Sequence, residues 1–215
     1  MHFHSREHPD YMLKVVGAMG HQLHQFRYFY LELDSNICIG NNVVLCDNLS
    51  TTLCDGNPKL KLLQLKTVPM SHNMLLDLCS HPNLQTLNLS GGRLHDNLTE
   101  EEWVSFSRKL KEQEQGNCSG GSIRSISLNC DYWGNVRDEV LEEFAGIKSL
   151  ENVRIERNTD ITDASVDKFA SIKSNISKSY MNIELYDCIE GSADNPHVAF
   201  VPSPVLDCTY SSYSD

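Results

Sequence analysis

The feature that most constrains this chain is an apolar pattern that returns six times. The pattern is L-x-x-L-x-L, with Leu, Ile, Val or Tyr at the apolar places. The copies are Tyr28/Leu31/Leu33, Leu60/Leu63/Leu65, Leu84/Leu87/Leu89, Ile123/Ile126/Leu128, Leu150/Val153/Ile155 and Tyr180/Ile183/Leu185. Their last positions lie 32, 24, 39, 27 and 30 residues apart. The closing alternation puts two apolar side chains on one face of a short strand. Three places further on stand Asn36, Val68, Gly92, Asp131, Asn158 and Cys188. Asn or Cys at that point, where the chain turns off the strand, can bond the backbone of a neighbouring turn. Asn158 and Cys188 are therefore expected to be buried.

Between these copies the apolar spacing changes to that of helices. Asp10 can cap a helix whose face is Met12, Val15, Val16, Met19 and Leu23. Leu45, Leu49 and Leu53 recur at every fourth residue, and Ser71 precedes Met74, Leu75, Leu78 and Cys79. Thr99 and Glu102 form a capping box ahead of Trp103, Phe106 and Leu110. Asn135 precedes Val136, Val140, Leu141 and Phe144, and Thr162 or Asp163 can cap a helix carrying Val166, Phe169 and Ala170 inward. Each unit reads strand, turn, helix. One such unit cannot bury its own apolar faces, whereas stacked neighbours can. The expectation is an α/β solenoid of about six irregular units with parallel strands; the competing architecture is a conventional open α/β sheet.

The run from Leu150 through Val153, Ile155 and Asn158 to Ile161, Thr162 and Asp163 resembles the cysteine-containing leucine-rich repeats of F-box/leucine-rich-repeat proteins, also of ribonuclease-inhibitor-like type. Tyr180, Ile183, Leu185 and Cys188 follow the same pattern with the cysteine in place, and Leu78, Cys79 and Leu84 resemble that family's helix-to-strand passage. The likeness covers about residues 10–190. It implies a leucine-rich-repeat horseshoe with the strands on its concave face. It also implies protein binding, in its most specific form substrate recognition for a ubiquitin ligase. Against the pattern, no F-box segment is visible, an insertion stands near 109–121, and Ile-Thr-Asp occurs clearly once.

Positions flanking the inward pairs face outward and line the strand side. Those expected to contact a protein partner are Tyr30, Glu32, Asp34, Gln64, Lys66 and Asn88, with Asn129, Arg154, Glu156, Glu184 and Tyr186 further along. The acids among them favour a basic partner segment. Residues 1–9 are expected to be a flexible N-terminus, residues 10–190 the repeat domain, and residues 191–215 a C-terminal cap and disordered tail, with Val198–Val201 able to form an edge strand.

Catalytic signatures are not visible: no phosphate-binding glycine loop, zinc-protease helix or nucleophile elbow stands in the sequence. No enzyme activity, cofactor or metal is expected. His2, His4 and His8 are close enough to hold a metal, though a frayed terminus is the simpler reading. The formal net charge of −11 disfavours nucleic acid and acidic membranes. None of the eight cysteines forms a C-x-x-C pair, so reduced thiols and a cytoplasmic or nuclear setting are expected. Five N-x-S/T sequons keep a secreted or cell-surface recognition domain as the alternative.

Overall fold

The computed structural model describes residues 2–5, 15, 18, 26–33, 43–68, 70–90, 98–115, 123–129, 136–156, 161–176, 181–186 and 206–210. Among them, eight strands form one sheet: β1 (His2–Ser5), β2 (Tyr28–Leu33), β3 (Leu62–Lys66), β4 (Thr86–Ser90), β5 (Ser125–Asn129), β6 (Asn152–Glu156), β7 (Met181–Tyr186) and β8 (Leu206–Tyr210). Their spatial order is their sequence order, and every neighbouring pair is parallel. Five helices fill the connections from β2 to β7: α1 (Val43–Gly56), α2 (His72–Cys79), α3 (Glu100–Gln115), α4 (Asp138–Ala145) and α5 (Asp163–Ile176). The fold is thus α/β with parallel strands alternating with helices. A doubly wound sheet reverses its strand order to place helices on both faces. Here the described strands advance in one direction throughout. Right-handed crossovers then put every helix on the same face, and each helix packs on the next.

Register explains the core. Phe29, Leu63, Leu87, Ile126, Val153 and Ile183 are paired from strand to strand in one file, and Leu31, Leu65, Leu89, Leu128, Ile155 and Leu185 in a second. No member of either file is more than 2% exposed. Burial of each such side chain contributes about 1.5–3 kcal/mol.

The first unit corrects the sequence frame. Phe29, not Leu31, pairs with Leu63, so the unit is Phe26/Phe29/Leu31 rather than Tyr28/Leu31/Leu33. Tyr28 is 60% exposed, while Phe26 packs against the core. The cause is the strand period of two. In the sequence Phe29, Leu31 and Leu33 form an unbroken apolar alternation, so a slip of two residues preserves the pattern. Backbone bonds confirm the corrected frame. The Arg27 carbonyl accepts from the amides of Lys61 (2.8 Å) and Leu62 (3.1 Å), and the Lys61 carbonyl accepts from Gln85 and Thr86. Gln85 and Arg124 repeat the arrangement toward Arg124/Ser125 and Glu151/Asn152.

Helix starts follow their caps. The Ser71 hydroxyl accepts from the Met74 amide at 3.0 Å. The capping box at α3 is reciprocal: the Thr99 amide donates to Glu102 Oε2 at 2.7 Å and the Glu102 amide to Thr99 Oγ1 at 3.3 Å. Of the two candidates at α5, Thr162 is the cap, accepting from the Ser165 amide at 3.3 Å. Trp103, Phe106 and Phe144 are buried edge-to-face, with centroids 5.9 and 6.3 Å apart, which locks α3 onto α4.

Polar side chains from neighbouring units clamp the turns. His81 Nδ1 accepts from the Asn83 amide, so its Nε2–H donates to the Asn57 carbonyl at 2.9 Å. Asn83 Nδ2 donates to the Pro58 carbonyl at 2.6 Å. The turn after α4 is held from both sides. Glu114 of α3 accepts from the amides of Lys148 (2.8 Å) and Ser149 (2.5 Å), and Lys173 of α5 donates to the Ile147 carbonyl at 2.5 Å. Lys173 is fully buried. Burial lowers its pKa from 10.5 to about 8, with Glu114 and Glu151 opposing the shift.

Both ends of the chain differ from expectation. His2–Ser5 lie in β1 against β2, within the segment expected to be flexible, because Tyr30–Leu33 leave a strand edge to pair. Leu206–Tyr210, within the expected disordered tail, form β8 on the edge of β7. The segment 109–121 begins inside α3, which runs to Gln115. Residues 15 and 18 are helical. The rest of the expected helix at 10–23, with Asn158, Cys188 and 198–201, lies outside the described residues. No helix among them is long and apolar enough to cross a membrane.

Two outcomes follow from this core. Leu87→Ala or Leu128→Ala should cost about 2–5 kcal/mol, read from the denaturant midpoint; an unmoved midpoint would contradict their inward placement. For Lys173 the folded pKa lies below the unfolded one. Between pH of about 8 and 10.5 the unfolded chain therefore binds more protons, and stability rises with pH. Compared with Lys173→Met, the wild-type chain should gain stability across that window; parallel pH profiles would refute the assignment.

Candidate binding face

With the helices on one side, the other side of the sheet carries three rows of outward residues. The burial alternation of β3 to β6 leaves every second residue half-buried or exposed. The middle row is Tyr30, Gln64, Asn88, Ser127, Arg154 and Glu184 in register. On one flank run Glu32, Lys66, Ser90, Asn129 and Glu156; on the other, Tyr28, Leu62, Thr86, Ser125, Asn152 and Asn182. Together β3 to β7 floor a groove of about 590 Å³.

Its chemistry changes along the strand order. At the β2–β3 end, Tyr30 donates to Glu32 Oε2 at 2.5 Å and Lys66 pairs with Glu32 at 2.7 Å. Burial, then the bond and charge of Glu32, push the Tyr30 phenol up to about 12, so it remains a donor. Over β4 and β5 only short amides and hydroxyls project. At the β6–β7 end the Arg154 guanidinium lies between Glu156 (2.6 Å) and Glu184 (3.2 Å). Asn129 donates to Glu156 Oε2 and Asn182 to Glu184 Oε1, both at 2.8 Å. The result is a hydrogen-bonded bracket across three strands.

Nine of the expected contact residues meet on this face: Tyr30, Glu32, Gln64, Lys66, Asn88, Asn129, Arg154, Glu156 and Glu184. Asp34 lies outside the described residues, and so does the side chain of Tyr186, whose backbone pairs with Glu156. The acids are not free charges, since Lys66 and Arg154 neutralise most of what they would offer a basic partner. Thr86, Ser90, Ser125, Ser127, Asn152 and Asn182 occupy other outward positions of the same rows. Their joint effect, an uncharged hydrogen-bonding floor, emerges only when register lines them up.

A larger depression of about 730 Å³ lies on the helical side, lined by Glu100, Asp138, Glu139, Glu142 and Glu143 with Lys111 and Arg137. Its carboxylates are occupied in joining neighbouring units. Arg137 pairs with Glu100 at 3.3 Å, Lys168 with Glu142 at 2.6 Å, Arg108 with Glu139 at 3.7 Å, and Lys111 with Glu143. Asp138 accepts from the Thr162 amide and hydroxyl at 2.9 and 2.7 Å. Burial would raise the Asp138 pKa, but these bonds outweigh it and lower it. The open sheet face is therefore the better candidate for a partner. Among the described residues, no group of three or more His, Cys, Asp or Glu is placed to hold a metal ion. No family model matches the chain, and no curated protein matches it.

The bracket makes a measurable prediction. Arg154→Ala leaves two half-exposed carboxylates facing each other and should cost about 0.5–1 kcal/mol at low salt. The loss should shrink as ionic strength approaches 1 M, where the Debye length is about 3 Å. A loss independent of salt would show that Arg154 acts through packing.

Proposed function

We propose that the chain is a leucine-rich-repeat solenoid that works as a non-enzymatic protein-binding module through its open strand face. The observation that carries this reading is the three-row polar face, held rigid by parallel pairing and left uncovered by the helices. Rigid presentation lowers the ordering cost of binding, and solenoids characteristically bind on such faces. Within this reading, the resemblance of the Leu150–Asp163 and Tyr180–Cys188 patterns makes substrate recognition for a ubiquitin ligase the most specific role. An F-box would then come from another segment or chain.

A cytoplasmic or nuclear setting accompanies this role. Its support is the state of two cysteines: Cys54 and Cys79 are free thiols. Burial and the charge of Asp77 raise the Cys54 pKa to about 12, and burial raises that of Cys79 still further, so both are poor thiolates. A secreted domain would be expected to pair such residues.

The test is affinity capture by the intact chain, with partners identified by mass spectrometry. Arg154→Ala combined with Asn88→Ala should weaken the leading partner more than tenfold, about 1.4 kcal/mol. The pair Lys148→Ala and Lys168→Ala on the helical side should leave it unchanged. Loss of binding in the helical pair alone would refute the open-face reading.

A further inference from the structure

This inference rests on the open-face reading and deepens it by naming the partner's chemistry. Side-chain length changes from strand to strand across the face. β4 points Thr86, Asn88 and Ser90 outward, and beside them β5 points Ser125, Ser127 and Asn129. All six are short, uncharged and half-buried. The strands on either side carry longer groups in the same rows, Gln64 and Lys66 on β3 and Arg154 and Glu156 on β6. Both cations reach away from the middle. Lys66 bonds Glu32 of β2 at 2.7 Å, and Arg154 bonds Glu184 of β7 at 3.2 Å. β4 and β5 therefore floor a trough that runs along the strands between two taller ridges, within the groove of about 590 Å³.

The ridges stand three strand spacings apart, about 14 Å, since neighbouring strands lie about 4.8 Å apart. Outward residues of one strand recur at every second residue, about 6.6 Å. An extended chain covers about 3.3–3.6 Å per residue, so its own two-residue repeat matches that spacing when it lies along the strands. The three rows of the floor then face about five residues. In an extended chain the amide and carbonyl of one residue point the same way, those of the next point the opposite way, and the side chains stand at right angles to both. Asn, Ser and Thr each supply the donors and acceptors that such backbone groups need. A helix, whose amides and carbonyls bond one another along its length, offers this floor none.

We infer that the trough takes an extended, uncharged peptide segment of about five residues lying along β4 and β5. Every second residue turns its amide and carbonyl down onto the floor, where Asn88 and Ser127 meet them at the centre. The side chains of the segment point sideways, toward the β3 and β6 ridges. A charged residue over the floor would lose water and gain no opposite charge from the outward residues of β4 or β5. A segment laid across the strands would lose the match, because its steps do not keep pace with the strand spacing.

The experiment selects a displayed library of random linear nonapeptides on the full chain, then measures the enriched peptides by fluorescence anisotropy. The expected consensus is an uninterrupted run of about five uncharged residues. Methylating the backbone nitrogens of that run one at a time, with the wild-type chain, should weaken binding at least about tenfold at alternate residues and less than about twofold at those between, because only one set faces the floor. Ser127→Lys, which fills the trough, should weaken the same peptides at least about tenfold, and raising salt from about 0.05 to 0.5 M should change their affinity less than about threefold. Peptides that depend on Asn88 and Ser127 but show no two-residue alternation, or that need a charged residue within the run, would overturn this inference and leave the open-face reading standing. Peptides that instead depend on Lys148 and Lys168 would overturn both. Failure to enrich any peptide on the folded chain would overturn the extended-segment inference alone.

Discussion

Everything in this structure depends on two files of buried side chains that cross the sheet at right angles to the strands. Phe29 to Ile183 make one file and Leu31 to Leu185 the other. A single strand and helix of these lengths has too little apolar area to offset its conformational entropy. Each file member is buried only because the unit on either side supplies the next. The backbone follows the same step: the carbonyl just ahead of each of β2 to β5 accepts from two amides of the following unit. Once the files are in register, the alternate residues have no choice but to line the opposite face.

Coupling between units is not left to apolar contact alone. Where the chain leaves a helix, backbone groups would be stranded between units. His81 satisfies the Asn57 carbonyl, and Glu114 and Lys173 grip the turn at 147–149 from opposite sides. The helical side adds ion pairs such as Lys168–Glu142. Polar chemistry on that side is thus consumed in holding units together. On the strand side it is held at two ends and left as short neutral groups at the centre.

Much of this was legible in the sequence, and the failures are instructive. Six apolar triplets gave β2 to β7, and caps at Ser71, Thr99 and Thr162 gave the starts of α2, α3 and α5 within the helices observed. The frame of the first unit was not legible, because uninterrupted alternation from Phe29 to Leu33 looks the same after a slip of two. β1 and β8 were missed because their residues carry no triplet; they are defined by the free edges they meet. The turn clamps were also invisible, since Lys173 on a helix reads as an exposed lysine until its neighbour is known. For the candidate face, individual outward residues were predictable from parity, but the pairing of Arg154 with two glutamates required knowledge of which strands are adjacent.

The most direct test of this account is the register itself, read by NMR from nuclear Overhauser contacts between backbone protons of neighbouring strands. The account predicts one unbroken series of contacts through Leu31, Leu65, Leu89, Leu128, Ile155 and Leu185, with Phe29 beside Leu63. Contacts placing Leu33 beside Leu65, or any strand out of sequence order, would contradict it.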